Sequence, residues 1–163
     1  LSMISKLVGP TRILEIGTFT GYASLCLAEG LSASGELHTI DINEEQQERV
    51  QGYFDQSPFG ALIKYHIGDA LDIIPTIAGD FDLVFIDADK KRNLLYYEML
   101  VERVPSGGVL MIDNVLWKGK VFEDRADNQT KQVLELNNIL AKDIRVEKLI
   151  LPVRDGLFVL RKK

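Results

Sequence analysis

The chain has 163 residues, of which 46% are hydrophobic and 26% are charged. These proportions are typical of a folded globular protein and exclude a disordered or collagen-like chain. The length predicts one domain spanning residues 1–163. A formal net charge of −5 argues against a broad basic surface for nucleic acids.

Cysteine content and hydropathy restrict the cellular setting of the protein. A single cysteine excludes a disulfide-rich secreted scaffold, so we expect the reducing cytoplasm. No apolar run approaches the ~20 residues needed to cross a bilayer, so we expect no membrane partner. Because residue 1 is leucine and not an initiator methionine, we expect further residues upstream of it.

Short runs rich in β-branched residues alternate with helical patterns along the chain. Five of these runs are predicted strands. The first, fourth and fifth are nearly continuous apolar runs, which is typical of strands covered on both faces. The predicted strands are Arg12–Gly17, Glu36–Asp41, Ile63–Ile67, Phe81–Asp87 and Gly108–Asp113.

Four helices are predicted between and after these strands. Asn43 has the chemistry of an N-cap, and Gln46 stands three residues later, as in a capping box. Pro105 is expected to close the third helix. The predicted helices are Tyr22–Leu31, Asn43 to about Asp55, Lys91–Arg103 and Gln129–Lys142.

The end of the chain follows a different pattern. Val146–Leu151 and Leu157–Leu160 are predicted strands joined by a short turn through Pro152 and Gly156, so they should pair antiparallel. Alternation of strands and helices followed by a hairpin predicts an α/β fold, with a doubly wound, mostly parallel sheet and one reversed strand.

The residues that leave the first three strands favour an adenosine-type ligand. In open α/β sheets, ligands bind beyond the carboxyl ends of the strands. Gly17 and Gly21 allow a sharp turn after the first strand, and Asp41 follows about 20 residues later, a spacing that suits an acid bound to a ribose diol. Asp69 and Ala70 would lie beside the adenine. The alternative is a tight strand–helix connection without a ligand.

Two further strand ends predict a cation site. Asp87 follows the fourth strand, and Asp113 and Asn114 end the fifth, so adjacent parallel strands would bring them together. Two carboxylates and an amide suit Mg²⁺, or else Mn²⁺ or Ca²⁺, rather than zinc. Lys90, three residues after Asp87, is a candidate general base. The alternatives are strand-end caps for the three ligands and a solvated surface lysine for Lys90.

Four segments carry a resemblance to a known family. Leu14–Tyr22 (LEIGTFTGY), Ile86–Lys90 (IDADK), Asp113–Gly119 (DNVLWKG) and Leu151–Leu157 (LPVRDGL) resemble the cation-dependent O-methyltransferases, which include catechol and caffeoyl-CoA O-methyltransferases. The resemblance covers essentially the whole chain. It implies S-adenosylmethionine as cofactor and a Rossmann-like class I methyltransferase fold whose seven-stranded sheet ends in a reversed hairpin.

The resemblance also implies roles for individual residues. Asp41 matches the ribose-binding acid and Lys90 the catalytic lysine, while Lys118 falls where relatives contact the substrate. Asp87, Asp113 and Asn114 match the ligands of the divalent cation. The residues expected to line the cofactor are Glu15, Gly17, Thr18, Ala70 and Asp89.

Two departures from the family pattern are visible. The family usually has a serine directly after Gly-Tyr, but here that position is Ala23 and the serine follows as Ser24. Relatives also carry amino-terminal helices that contribute to the substrate site and to a dimer. The chain begins after these helices. The resemblance therefore implies a homodimer whose amino-terminal part lies outside this sequence.

We therefore expect methyl transfer from S-adenosylmethionine to a hydroxyl of a small catechol-like or phenylpropanoid-like acceptor. Three alternatives remain open: a tRNA hydroxyuridine O-methyltransferase, an NAD-dependent oxidoreductase, and a nucleotide-binding domain without catalysis. The missing third glycine of the dinucleotide pattern argues against NAD. His38 and His66 lie in strand patterns with no His or Cys beside them in the sequence, so we expect no ligand or catalytic role for either.

Overall fold

The computed structural model describes all residues, 1–163. Seven strands form one mixed sheet in the order β3-β2-β1-β4-β5-β7-β6. Strand β7 runs antiparallel to both β5 and β6, which confirms the doubly wound sheet with a reversed strand. The strands are β1 Arg12–Ile16, β2 Glu36–Asp41, β3 Ile63–Ile67, β4 Leu83–Ile86, β5 Val109–Asp113, β6 Val146–Leu151 and β7 Leu157–Lys162.

Six α-helices connect or flank the strands. No helix is both long enough and apolar enough to span a membrane. Short 3₁₀ turns extend several of the helices, among them Glu44–Gln46 before α3 and Val101–Arg103 after α5. The helices are α1 Ser2–Val8, α2 Tyr22–Ala28, α3 Gln47–Asp55, α4 Ala70–Ile73, α5 Asn93–Leu100 and α6 Asn128–Lys142.

The contacts within the chain form two compact units, Leu1–Val84 and Phe85–Lys163. In the first unit, β1, β2 and β3 pair in parallel, and the core contains apolar side chains from the strands together with Val50 and Phe54 of α3. In the second unit, β7 pairs with β5 and β6, and α6 buries Val133, Leu136 and Leu140 at helical spacing.

Helix α6 shows how local sequence determines an element of the second unit. The Asp127 carboxylate accepts hydrogen bonds from the Thr130 N–H and hydroxyl, both at 2.7 Å, and so caps the first turn. At the other end, Lys148 Nζ donates to the carbonyls of Leu140, Ala141 and Asp143. A cation at a helix C-terminus satisfies carbonyls that have no partner within the helix.

Several predicted boundaries need correction. The capping box is wrong: Asn43 accepts the Glu45 N–H and caps a 3₁₀ turn, whereas the Gln46 side chain binds Arg49. Helix α2 ends at Ala28 and not at Leu31. Gly30, one residue before that predicted end, packs closely against α1, a helix absent from the prediction, since a Cβ on Gly30 would lie 2.3 Å from Ser5.

Candidate functional site

The carboxyl ends of β1, β2 and β3 meet through main-chain hydrogen bonds. The Gly17 N–H donates to the Ile40 carbonyl at 2.9 Å, and the Gly68 N–H donates to the Asp41 carbonyl at 2.8 Å. Gly17 has φ 101, a left-handed conformation that strongly favours glycine. The structure therefore brings together the turn after β1 and the acid after β2, as the sequence predicted.

Asp41 organises this turn with both carboxylate oxygens. Its Oδ2 accepts the Phe19 N–H at 2.7 Å and its Oδ1 accepts the Asn43 N–H at 2.9 Å. The residue is partly exposed, and each carboxylate oxygen can accept a second hydrogen bond. Asp41 is therefore fixed in place with capacity left for the hydroxyls of a ligand.

Gly21 is required by close packing as well as by its backbone conformation. Its φ is 78, and a Cβ at this position would lie 2.7 Å from the Phe54 ring. The residue precedes α2 and lets the chain after β1 pass close to α3. Gly21 therefore shapes the turn, and the structure gives it no other role.

Glu15 is fully buried in a network of neutral donors. Its Oε2 accepts the Thr39 hydroxyl at 2.6 Å and also the Ser24 hydroxyl. Thr18 extends the network, because its hydroxyl lies 2.6 Å from that of Thr39. The serine that follows Ala23 thus points into the interior and supports Glu15, a role that the sequence did not reveal.

Tyr65 is a further polar residue on this face of the sheet, and the sequence analysis missed it. Glu15, Thr39 and Tyr65 are in register across β1, β2 and β3. The Tyr65 hydroxyl is buried and has no hydrogen-bond partner. Burial raises the pKa of Tyr65, and the negative charges of Asp41 and Glu15 raise it further.

Asp69 and Ala70 begin α4. The Asp69 Oδ1 accepts the Leu71 N–H at 3.0 Å and so caps this four-residue helix, while Ala70 is buried. Asp89, in the second unit, is exposed, and its Oδ1 accepts the Lys91 N–H at 3.2 Å. The structure thus gives Asp69 and Asp89 local roles in a helix cap and a turn.

In the second unit, Lys90 links the ends of β4 and β5. Its Nζ lies 3.2 Å from Asp87 Oδ1 and 3.4 Å from the Asp113 carbonyl oxygen, and its side chain is only 11% exposed. The i,i+3 spacing after β4 brings Lys90 back to Asp87. Lys90 thus lies against Asp87 and the main chain at the end of β5, and the cation site at Asp87, Asp113 and Asn114 stays a prediction.

The two carboxylates at this edge influence one another. Burial raises the pKa of Asp113, and the charges of Asp87 and Asp155 raise it further, although the Asn114 N–H and Lys90 act in the opposite direction. The Asn114 N–H donates to Asp113 Oδ1 at 2.7 Å. A group of hard oxygen donors with mutually repelling carboxylates fits a divalent cation.

The candidate cation site has few protein ligands. The chain has no group of three or more His, Cys, Asp or Glu side chains arranged to hold a metal ion. The candidate set contains two such side chains, Asp87 and Asp113, and the amide of Asn114. This composition suits a hard cation that keeps several water ligands, as Mg²⁺ does.

The segment after β5 has an unusual backbone. Asn114 has φ 62, and Trp117, Lys118 and Gly119 follow with φ 47, 56 and 79. The Lys118 N–H donates to the Asp155 carboxylate, and the Lys118 side chain is exposed. Asp155 is therefore a residue of this site that the sequence analysis missed, because only the turn between β6 and β7 brings it here.

The two histidines, which are far apart in the sequence, lie together in the structure. His38 Nδ1 and His66 Nε2 are 3.0 Å apart, and the ring planes differ by 11°. His38 Nε2 lies 3.1 Å from Glu36 Oε1. Burial lowers the pKa of His66, and the neighbouring His38 lowers it further. The pairing of β2 with β3 places these residues side by side.

Known proteins resemble this chain along its whole length. The sequence matches the O-methyltransferase family over residues 1–163. It is 35% identical to caffeoyl-CoA O-methyltransferase 2 of Petunia hybrida, with 99% of this chain and 72% of that protein covered.

Two solved structures share the fold. The O-methyltransferase TomG from Streptomyces achromogenes, involved in tomaymycin synthesis and solved with S-adenosylmethionine, has a TM-score of 0.91 at 30% identity, covering 99% of this chain and 77% of that one. The O-methyltransferase from Bacillus cereus, solved with S-adenosylhomocysteine, has a TM-score of 0.89 at 27% identity, covering 99% and 78%.

Proposed function

Because this chain belongs to the O-methyltransferase family, we propose that it transfers a methyl group from S-adenosylmethionine to a hydroxyl of a small catechol-like or phenylpropanoid-like acceptor, with the help of a divalent cation. The Petunia relative is named for a caffeoyl-CoA acceptor, which supports this class of substrate. The ligands of the two similar structures support the cofactor. The family match offers no support for the alternative of an NAD-dependent oxidoreductase.

The turn after β1 and the acid after β2 are the proposed cofactor site. When bound, S-adenosylmethionine supplies an electrophilic methyl group on a sulfonium sulfur. Asp41 would accept hydrogen bonds from the ribose hydroxyls with the lone pairs that Phe19 and Asn43 leave free. The further residues proposed to line the cofactor are Glu15, Gly17, Thr18, Gly21, Asp69, Ala70 and Asp89.

Asp87, Asp113 and Asn114 are the proposed cation ligands, with Mg²⁺ as the first choice and Mn²⁺ or Ca²⁺ as alternatives. A divalent cation supplies Lewis acidity that eases removal of the proton from a nearby hydroxyl. The protein contributes two carboxylates whose mutual repulsion a cation would relieve. Lys118 is proposed to contact the acceptor.

The observation that carries the proposal is the position of Lys90. This nearly buried lysine is bonded to Asp87 and to the end of β5, so it would lie close to a hydroxyl bound to a cation at Asp87 and Asp113. Lys90 Nζ is therefore the proposed proton acceptor. The acceptor's O–H bond would break with its proton passing to Lys90, and its oxygen would bond to the methyl carbon as the carbon–sulfur bond breaks and S-adenosylhomocysteine leaves.

The test is methyl transfer from labelled S-adenosylmethionine with Mg²⁺ or with excess chelator. The acceptors are a catechol, a caffeoyl thioester and undermodified tRNA. We expect labelling of the catechol or thioester in Mg²⁺ and none in chelator. In Asp113→Ala, stimulation by Mg²⁺ should disappear while the affinity for S-adenosylhomocysteine, measured by calorimetry, stays near that of the wild type. Asp124→Ala, at an exposed position, is the matched control.

The outcomes separate the parts of the proposal. Full activity in chelator would contradict the cation role. Labelling of tRNA alone would replace the small acceptor with a nucleic acid. Binding of NAD without binding of S-adenosylmethionine would overturn the assignment as a methyltransferase.

A further inference from the structure

The segment from Asn114 to Gly119 concentrates left-handed backbone. L-amino acids visit this conformation as single residues and seldom in succession, because the Cβ approaches the following carbonyl. Here Trp117, Lys118 and Gly119 adopt it consecutively. The non-glycine residues of the chain with positive φ are Phe19, Asn114, Trp117, Lys118 and Arg154.

A second turn, at Asp155 and Gly156, holds this segment in place. The Val115 N–H donates to the Gly156 carbonyl at 3.1 Å, and the Leu116 N–H donates to the Asp155 carbonyl at 2.9 Å. Gly156 is required for the approach, because its φ is 81 and a Cβ there would lie 2.4 Å from Leu116 Cγ. The two turns therefore fit together at their backbones.

The Asp155 carboxylate makes the contact that supports the strained residues directly. It accepts the N–H of Lys118, the middle residue of the left-handed run. Few other bonds hold this run: the Trp117 N–H donates to the Asn114 carbonyl at 3.2 Å, and the Gly119 N–H donates to the Leu116 carbonyl at 2.9 Å. Backbone strain persists only where the surroundings enforce it, and Asp155 is the side chain that does so here.

Asn114 depends on the same arrangement. It has φ 62, its N–H is bonded to Asp113, and its carbonyl is bonded to Trp117. A change in the run at 117–119 therefore changes the peptide that orients the Asn114 side chain. We propose that Asp155 is a positioning residue that holds the turn at Asn114–Gly119 and thereby places Asn114 for the cation; this inference rests on the proposed function.

The experiment determines Mn²⁺ affinity from the concentration of free Mn²⁺, which electron paramagnetic resonance measures. We expect Asp155→Ala to weaken Mn²⁺ binding by about 10–100-fold, as loss of a group that orients a metal ligand does. Asp155→Asn should stay close to the wild type, because its amide oxygen still accepts the Lys118 N–H. Asp124→Ala is the control for loss of an exposed negative charge in the same unit.

Trp117 provides a readout that does not depend on metal. It is the one tryptophan of the chain and lies in the strained run, so its fluorescence reports on the turn. We expect the emission of Asp155→Ala to shift to longer wavelength and that of Asp155→Asn to stay unchanged. Lys118→Gly, which removes the Cβ from a left-handed position, should restore part of the Mn²⁺ affinity of Asp155→Ala. If Asp155→Ala alone does not fold, the Mn²⁺ affinity of the double variant Asp155→Ala/Lys118→Gly is compared with that of Lys118→Gly.

Each outcome decides the inference. Equal Mn²⁺ affinity in Asp155→Ala and the wild type overturns it, and so does an equal loss in Asp155→Asn and Asp155→Ala, which would make Asp155 a direct ligand. No Mn²⁺ binding by the wild type is a different result, since it removes the proposed cation role and the positioning role with it.

Discussion

The polar groups at the ends of β1–β3 and those at the ends of β4 and β5 are stabilised in different ways. In the first region, the carboxylates accept hydrogen bonds from neutral donors: Ser24 and Thr39 donate to Glu15, and main-chain N–H groups donate to Asp41. In the second, charged groups face one another, and the pKa of Asp113 is raised by burial and by neighbouring carboxylates. The first region holds its carboxylates through neutral donors, whereas the second would gain from a cation.

The difference predicts different consequences of substitution. A network of hydrogen bonds to buried carboxylates contributes to folding, because a carboxylate left without donors in the interior is costly. Charged groups that face one another at the ends of β4 and β5 contribute little to folding but are suited to binding and proton transfer. Variants of the first region should therefore lose stability or affinity, and variants of the second should lose turnover.

The largest effect is expected for Lys90. Lys90→Met keeps much of the apolar stem but removes the proton acceptor, so turnover should fall by roughly 10²–10⁴-fold. Lys90→Arg should not restore it, because guanidinium stays protonated at any workable pH. The measurement is single-turnover methyl transfer with an acceptor first shown to be used by the wild type.

Lys91→Met is the matched control for Lys90, because Lys91 is its exposed neighbour. It should transfer the methyl group at the wild-type rate. If Lys90→Arg also keeps the wild-type rate, Lys90 acts only through its charge. The second region would then differ from the first only in the repulsion between its carboxylates, Asp87 and Asp113.

Asp41→Ala tests whether the first region is a binding site as well as a stable network. Loss of a charge-assisted contact to the ribose should weaken S-adenosylhomocysteine binding by about 1–3 kcal/mol, or roughly 5- to 150-fold. Calorimetry measures this affinity, with the exposed Asp55→Ala as control. Unchanged affinity in Asp41→Ala would remove Asp41 from the cofactor site and leave it the role of fixing Phe19 and Asn43.

Ser24→Ala tests the stability of the same region without touching the exposed surface. The Glu15 carboxylate, fully buried, would lose one of its hydroxyl donors, and the free energy of unfolding should fall by about 1–3 kcal/mol. Urea unfolding followed by circular dichroism measures the change. Ser34→Ala, at an exposed position, should unfold like the wild type. Equal stability of Ser24→Ala and Ser34→Ala would show that Thr39 alone satisfies Glu15.

Local patterns account for the parts of the fold and site that could be predicted from sequence. The spacing of Val133, Leu136, Ile139 and Leu140 predicted α6, in which all of these but Ile139 are buried. The i,i+3 spacing of Asp87 and Lys90 predicted their contact. The alternation of strands and helices predicted the parallel pairing that brings Gly17 beside Ile40. Each inference needed only the period of an element or the direction of a strand.

What could not be predicted depends on contacts between distant residues or on backbone conformation. Asp155 reaches Lys118 only because the β6–β7 turn packs on the turn after β5, and the left-handed conformations of Trp117 and Lys118 have no signal in residue type. Ser24 binds Glu15 because the turn after β1 brings α2 back against the sheet, where it contacts β2. The histidine pair needs the register of β2 with β3, which composition does not encode.

The smallest effect is expected for the histidine pair, in which two titratable side chains of the first unit are in contact. Burial, and then His38, lowers the pKa of His66. The unfolded chain therefore takes up a proton at a pH where folded His66 is still neutral. The free energy of unfolding should fall as pH drops below about 6.5 and continue to fall down to the folded-state pKa.

His66→Gln, whose amide can still bond to His38, should lose this part of the pH dependence. Urea unfolding between pH 8 and pH 5 measures it, and proton NMR of the two histidines gives their pKa values directly. If the wild type and His66→Gln lose stability in parallel as the pH falls, the pair shares a hydrogen bond but does not oppose protonation. Titrating groups that disfavour each other's charge would then be confined to the second region.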